Sequence, residues 1–445
     1  MTGDAAVLLS GARPLRIATL GDRRRAVLGA AIGTTIEWYD FLLYATAAAL
    51  VFNKLFFPRQ DPLTGAMLAF STYALGFMAR PLGAVVFGHF GDRIGRKKLL
   101  MASLFVMGGA TFAIGLLPSF NTVGVWAPIM LTLLRLVQGF GLGGEWAGAI
   151  LMAAEYSDAP RRGFWCGLVQ AGGAAGNLLA TGILAIMAAT QTNEAFLSWG
   201  WRVPFLFSAA LIGVGLWVRF SIAESPVFEQ AIGGADGPHR APIVEALRTK
   251  GGSVALGAAL KLGENISYYV MTAFTITYVT EVLKLPRSVA LNGVMAGGVA
   301  GAVSMPLWSW LSDKIGRKPV YGFGALGVGL WLFVFFPLVR TGSPTVIALA
   351  ILVGVLIHSA MNGPQGAFIA ELFPTRVRYS GASLSYQLPA IVGGSLAPII
   401  SIGLLRATGS TVPIAIYVLV ACGVSFVATL LAKETKGKTF PEIDG

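Results

Sequence analysis

The sequence predicts an all-α membrane protein of twelve transmembrane helices, with both termini on the cytoplasmic side. Three observations carry that prediction. Of 445 residues, 55% are hydrophobic and only 12% charged. Soluble domains carry about 25% charged residues, so this chain has half the usual means of wetting an exterior. The chain also divides into apolar runs near the ~20 residues that a bilayer-crossing helix needs. Finally, its basic residues concentrate in alternate connections. Such a composition excludes a cytosolic enzyme, a disordered chain and a nucleic-acid binder, and names the lipid bilayer as the surroundings.

Taken in order, the runs are 26–50, 64–90, 99–117, 126–152, 164–189, 202–222, 253–280, 288–311, 319–339, 344–369, 380–405 and 410–432. Arg23, Arg24 and Arg25 precede the first. That run contains Glu37 and Asp40 and extends past a signal-peptide core, so it reads as a membrane helix. The longest polar connection, 223–252, holds Glu224, Glu229, Asp236, Arg240, Glu245, Arg248 and Lys250 and separates six runs from six. The expected organisation is a cytoplasmic tail over 1–25, a six-helix bundle over 26–222, a cytoplasmic linker over 223–252, a second six-helix bundle over 253–432 and a cytoplasmic tail over 433–445. With the N-terminus inside, the inner segments hold 22 of the 33 Lys and Arg, and the outer segments and span edges hold 7. Basic residues are retained on the cytoplasmic side, so this split supports the twelve-span count.

Two stretches repeat. Gly88-His89-Phe90-Gly91-Asp92-Arg93-Ile94-Gly95-Arg96-Lys97 follows the second run, and Ser309-Trp310-Leu311-Ser312-Asp313-Lys314-Ile315-Gly316-Arg317-Lys318 follows the eighth, 221 residues later. Glu155 with Arg162 recurs as Glu371 with Arg378, offset by 216 residues. Two echoes at nearly one offset indicate duplicated halves, a common plan for membrane carriers.

The repeated D-R-x-G-R-K/R loop resembles the signature of the major facilitator superfamily. Further stretches are more specific: Glu37-Trp38-Tyr39-Asp40-Phe41, Arg80-Pro81-Leu82-Gly83, Gly88 to Lys98, Arg135-Leu136-Val137-Gln138-Gly139-Phe140 with Gly143-Gly144-Glu145-Trp146, and Ser198-Trp199-Gly200-Trp201-Arg202-Val203-Pro204-Phe205. Together they resemble the bacterial metabolite:proton symporter family, above all its shikimate/α-ketoglutarate-type carriers. That family also includes carriers of citrate and of proline or betaine. The resemblance runs over roughly 26–432 and is shared by carriers of different solutes. It implies two six-helix bundles facing a central cavity, working by alternating access. Lys314 stands where the first loop has Arg93.

Charged residues inside a bilayer cost about 2.5–3.5 kcal/mol each, so they face the protein interior and have partners. Glu37 and Asp40 lie i,i+3 on one helical face. Two close carboxylates in low dielectric resist joint ionisation, so one of them readily holds a proton. Proton coupling and fixed pairing to Arg80 or Arg135 are the alternative roles. Glu145, in a glycine-rich stretch, is a third coupling candidate beside a buried structural role. Arg80, Arg135 and Lys261 suit an anionic substrate, because cationic donors match a carboxylate. The alternative is internal charge balance; Lys261 and Glu264 are i,i+3 neighbours able to satisfy one another, and that pair reads mainly as gate or structure. Tyr39, Gln138 and Tyr268 complete the candidate substrate contacts, with Trp38, Asn177, Asn265, Tyr269, Trp308 and Gln387 as weaker ones. His358 is the histidine deepest in an apolar run.

The loops suggest gates. Gly88 permits a tight helix crossing, Asp92 caps or pairs near a helix terminus, and Arg96 reaches an acid such as Glu155. Arg93, Asp313, Arg317, Glu371 and Arg378 complete the set. By resemblance, this network latches the cytoplasmic side; retained positive charge alone is the other reading. No H-E-x-x-H, G-x-S-x-G or Walker A is present. Two cysteines, Cys166 and Cys422, are too few for a thiolate metal site. No enzymatic role, cofactor or metal is expected. The expected function is a monomeric inner-membrane carrier that imports a small organic acid, shikimate-like or a dicarboxylate, with protons. A zwitterion carrier and a drug:proton antiporter are the rivals.

Overall fold

In a computed structural model of the chain, the structure describes residues 20–94, 96–143, 145–221 and 242–444. Helices account for nearly all of them, and no strand occurs among the described residues. The long helices are α1 (Leu20–Ala47), α2 (Pro62–Ile94), α3 (Arg96–Gly115), α4 (Trp126–Gly141), α5 (Glu145–Glu155), α6 (Arg162–Thr190) and α7 (Arg202–Ser221). After the linker come α8 (Pro242–Tyr269), α9 (Arg287–Ile315), α10 (Arg317–Arg340), α11 (Pro344–Ala370), α12 (Arg378–Pro389), α13 (Leu396–Thr408) and α14 (Val412–Leu431). α8 begins about ten residues before the expected 253, inside the stretch read as linker. It continues into π-helical turns at Val270–Phe274 and Tyr278–Val282. Another π-turn, Ala390–Ser395, joins α12 to α13 just after Pro389.

The chain is apolar outside and polar inside. Leu82, Trp217, Leu330, Val420 and Leu431 point outward, while Glu37, Asp40, Arg80, Arg135, Lys261, Glu264 and His358 are buried. A soluble protein has the opposite arrangement. Lipid cannot satisfy a polar group, so the polar side chains gather where helices face one another. Among the described residues, nine helical runs are long and apolar enough to cross a bilayer. The expected runs that fall short of this measure are those of α1, α3 and α8. α1 carries Glu37 and Asp40, α8 carries Lys261 and Glu264, and the apolar part of α3 is only Met101–Gly115. Interior charges lower the mean hydropathy of the helices that carry them.

Pairs of helices pack in register: α1 on α6, α2 on α4, α3 on α7, α8 on α12 and α14, and α10 on α11 and α14. α6 also packs along α9 and α11, joining the first half of the sequence to the second.

Candidate functional site

Glycine brings α2 and α4 together. A Cβ on Gly139 would run into the Gly76 carbonyl, and one on Gly83 into the Phe140 carbonyl. Small residues at such crossings let membrane helices touch backbone to backbone. This crossing brings the arginine side chains of the two helices to the same aromatic residue. The Arg135 guanidinium sits 4.4 Å from the ring centres of Phe41, Tyr44 and Tyr73. Arg80 lies 4.0 Å from the Phe41 ring and 4.5 Å from Phe77. In a desolvated site each such contact is worth about 2 kcal/mol, which offsets part of the burial cost of the charge. Arg135 Nη1 donates to Gln138 Oε1, while its Nε and Nη2 have no hydrogen-bond partner. Gln138 Nε2 donates to Thr111 Oγ1 at 2.7 Å and to the Asp40 carbonyl at 3.3 Å. Asp40 is buried beside Thr111 and within reach of the Arg135 charge, and it makes no ion pair with a described residue. Glu37 is buried beside it on α1.

The second polar cluster belongs to α8 and α11. Lys261 and Glu264 form an ion pair on one face of α8. Lys261 Nζ also donates to Gln365 Oε1 at 2.9 Å and lies 4.2 Å from the Tyr386 ring centre. Gln365 Nε2 donates to the Tyr321 hydroxyl at 2.8 Å. His358 Nε2 is 3.4 Å from Glu264 Oε1 and 3.1 Å from the Glu264 carbonyl. Tyr269 is within electrostatic reach of Arg80, Arg135 and Glu264, so both clusters face one interior.

Contacts join the two sequence halves at three levels. In the middle, the Tyr73 hydroxyl donates to that of Tyr269 (3.1 Å), Asn177 Nδ2 donates to the Tyr268 hydroxyl (2.8 Å), and Trp146 stacks on Tyr386 with ring centres 3.6 Å apart. At one end, Lys54 lies 3.4 Å from Glu281, and Arg406 pairs with Asp61 while donating to Thr64 Oγ1 at 2.7 Å. At the other end, Asp313 accepts from the Gly163 and Phe164 amides at 2.9 and 2.8 Å, capping the start of α6. A carboxylate is favoured there by the helix dipole. Gly163 is required at this position, since a Cβ would lie 2.6 Å from Asp313 Oδ1. Arg317 joins Asp313 at 2.7 Å to Glu371 at 3.4 Å, and Arg162 reaches Glu371 at 2.9 Å. Both ends are thus bridged in one conformation.

The Asp61 end makes a pH prediction. Hydrogen bonds from the Thr64 side chain and amide, then Arg406, lower the Asp61 carboxyl from its ordinary value to about 2. A depressed folded-state value means the contribution is present above the ordinary carboxylate range and is lost only as pH falls through about 2. The bridge therefore does not titrate between about pH 5 and 8. Asp61→Asn is expected to leave the shape of the uptake–pH profile unchanged over that range; a shifted midpoint would show that Asp61 itself titrates during transport.

The structure brings Glu37, Asp40, Arg80, Arg135, Gln138, Lys261, Glu264 and Tyr268 to the interior. Tyr39 does not join them: its hydroxyl donates to the Pro204 carbonyl at 2.5 Å and ties α1 to α7. The Glu145, Gly88, Asp92, Arg93 and Arg96 side chains lie outside the described residues. Glu155 is exposed at the end of α5. The repeated Glu–Arg spacing does not mark a pair within one repeat: Arg162, of the first, bonds Glu371, of the second. Both cysteines are buried and free, and no metal-binding cluster occurs among the described residues.

Several contributors escaped the sequence reading. Gln365, Tyr321 and Tyr386 carry no motif. The tail, read as a polar end, packs back on the protein: Glu434 caps the start of α10 through the Arg317 and Lys318 amides (both 3.0 Å), and Thr435 donates to Glu371 at 2.5 Å. Phe440 lies between Arg162 and Arg378, 3.8 and 3.6 Å from their guanidinium carbons. A lone aromatic among tail charges was the only available signal.

A lipid-facing exterior around buried ionisable residues, with the halves bridged at both ends, defines a multi-pass membrane transporter rather than an enzyme. The family model of the Major Facilitator Superfamily matches residues 30–384 and, in a second match, 265–444. The chain belongs to that superfamily. It is 42% identical over 422 residues to the shikimate transporter of Escherichia coli (strain K12), covering 94% of this chain and 96% of the relative. It is 30% identical over 435 residues to the proline/betaine transporter of the same strain, covering 96% and 86%. Among solved structures, the proton:xylose symporter XylE bound to 6-bromo-6-deoxy-D-glucose superposes with a TM-score of 0.74 at 16% identity, over 95% of this chain and 98% of that one. At that identity the likeness concerns the fold.

Proposed function

We propose that the chain imports a small organic acid, shikimate-like or a dicarboxylate, together with protons by alternating access. It does so as a monomer in the inner membrane, with twelve spans in two bundles, 26–222 and 253–432, and cytoplasmic termini. The observation that carries the reading is Asp40: a buried carboxylate with no ion-pair partner among the described residues, beside Thr111 and within reach of the Arg135 charge, in the same interior as the cations Arg80, Arg135 and Lys261. A buried carboxylate without a paired cation is costly to hold charged, so a transferable proton is a natural partner. Asp40 carries the coupled proton in this reading, with Glu37 and Glu145 supporting it. The cations, with Gln138, Glu264 and Tyr268, line the substrate path. The 42% identical shikimate transporter supports the acid; the 30% identical proline/betaine transporter favours a zwitterion as the second reading. Uptake into proteoliposomes under an imposed pH gradient separates them, using labelled shikimate, α-ketoglutarate, citrate and betaine. Accumulation of an acid that collapses with a protonophore supports the proposal. Exchange or export of lipophilic cations alone would establish an antiporter.

The cytoplasmic gate is then the Asp313–Arg317–Glu371–Arg162 network with Arg378. Repeat symmetry assigns Asp92, Arg93, Arg96, Gly88 and Glu155 to its counterpart at the start of α12. Asp313→Asn removes the charge shared by two α6 amides and Arg317. Breaking one partner of a buried pair costs about 3–5 kcal/mol. Uptake is expected to slow at normal membrane abundance, with spin-label distances showing a wider cytoplasmic end. Collapsed abundance would make Asp313 a folding residue instead.

A further inference from the structure

The Lys261–Glu264 pair poses a physical question. Both residues belong to α8, so their attraction holds no two helices together. Apolar residues in place of a buried ion pair are often as stable or more so. Both residues do reach α11, through Gln365 and His358, and the surroundings of the ammonium also have the composition of a carboxylate site. The ammonium is held by a carboxylate, the Gln365 amide oxygen at 2.9 Å and the face of Tyr386 at 4.2 Å. Tyr386 is in turn stacked on Trp146 from the first half, and Arg80 acts electrostatically on Lys261 from across the interior. A second donor stands ready for Glu264. His358 Nε2 is 3.4 Å from Glu264 Oε1, and His358 Nδ1 is buried without a hydrogen-bond partner. α8 passes directly into the π-turn Val270–Phe274, an irregular ladder of the kind found at functional sites.

We propose that Lys261 anchors the substrate carboxylate, that Glu264 occupies Lys261 in the empty carrier as a tethered stand-in, and that His358 receives Glu264 when the substrate displaces it. This rests on the organic-acid reading. Displaced from Lys261, the Glu264 carboxylate takes the His358 Nε2–H, already 3.4 Å from Oε1, as its new donor. The step exchanges one carboxylate for another at Lys261, and no covalent bond changes. The other titratable groups close to Glu264 are Tyr268 and Tyr269 on α8, Tyr321 on α10, Tyr386 on α12 and Cys422 on α14. Arg135, with two unpaired donors, is left to bind the hydroxyls or the second carboxylate at the far end of the molecule.

The test is equilibrium binding of labelled shikimate to the purified full-length carrier, with the neutral methyl ester of shikimate as competitor. Removing the stand-in by Glu264→Gln is expected to tighten shikimate binding by about tenfold and to leave the ester little changed. Lys261→Gln weakens shikimate binding. His358→Asn also weakens it, because displaced Glu264 has no partner, but the double variant Glu264→Gln/His358→Asn binds like Glu264→Gln alone. A merely structural histidine would not show that cancellation. Should Glu264→Gln not fold, Glu264→Asp keeps the charge but withdraws it, and tighter binding than wild type is again expected. Unchanged or weaker binding in the Glu264 variants overturns the stand-in and leaves the organic-acid reading intact. Failure of the wild type to bind any acid in the panel overturns both.

Discussion

Asp40→Asn abolishes accumulation driven by a pH gradient while exchange of labelled for unlabelled substrate continues. This separation is the expected signature of a proton site distinct from the substrate path. Asparagine has almost the shape of aspartate, and the Asp40 carbonyl keeps its hydrogen bond from Gln138, so α1 and α4 stay joined. What disappears is a group able to take and release a proton. Net uphill movement needs that cycle, whereas exchange needs only the loaded carrier to reorient. The measurement is the inside-to-outside ratio in proteoliposomes under an imposed gradient, beside counterflow in its absence. The ratio is expected to fall to parity. Accumulation at the wild-type level would remove Asp40 from coupling and return it to structural pairing.

Arg135→Lys carries the second large effect. The guanidinium lies against three aromatic rings and still presents Nε and Nη2 to the interior. A lysine keeps the charge but loses the planar fork, and its ammonium presents a different set of donors. Losing one charge-assisted hydrogen bond removes about 1.5–3 kcal/mol. The half-saturation concentration for the acid is then expected to rise roughly ten- to hundredfold. Gly76 packs against this side chain, a Cβ there lying 2.5 Å from Arg135 Nε, so thermal stability is measured in parallel. An unchanged half-saturation concentration in a stable variant would show that Arg135 organises the aromatic layer without touching substrate.

The membrane class was legible because insertion depends on local, nearly additive quantities: apolar length, buried charge and the side on which Lys and Arg are retained. The duplicated loop and the interior charges on α1, α2, α4 and α8 were visible for the same reason, each being conspicuous against its apolar background. Partnerships were not. Nothing local distinguishes Gln365 from other glutamines, yet it is the side chain that reaches Lys261 from α11. The Glu–Arg spacing did not reveal that Arg162 crosses to Glu371. Tyr39, inside a conspicuous motif, turns its hydroxyl to the α7 backbone. The cytoplasmic tail expected over 433–445 carried no sign that Phe440 lies against two arginines.

The sequence by itself determined that this is a helical membrane protein, built on a repeat, with ionisable residues retained at a cost inside the bilayer. Each of these follows from how single residues partition between water and lipid. Only the tertiary structure decided which charges meet: Asp313 at the start of α6, Glu264 between Lys261 and His358, and Arg135 among aromatic rings without a carboxylate bound to its free donors. Pairing depends on ångström distances between side chains separated by tens to hundreds of residues. Hydropathy and spacing along the chain carry no term for those distances, and helix packing does.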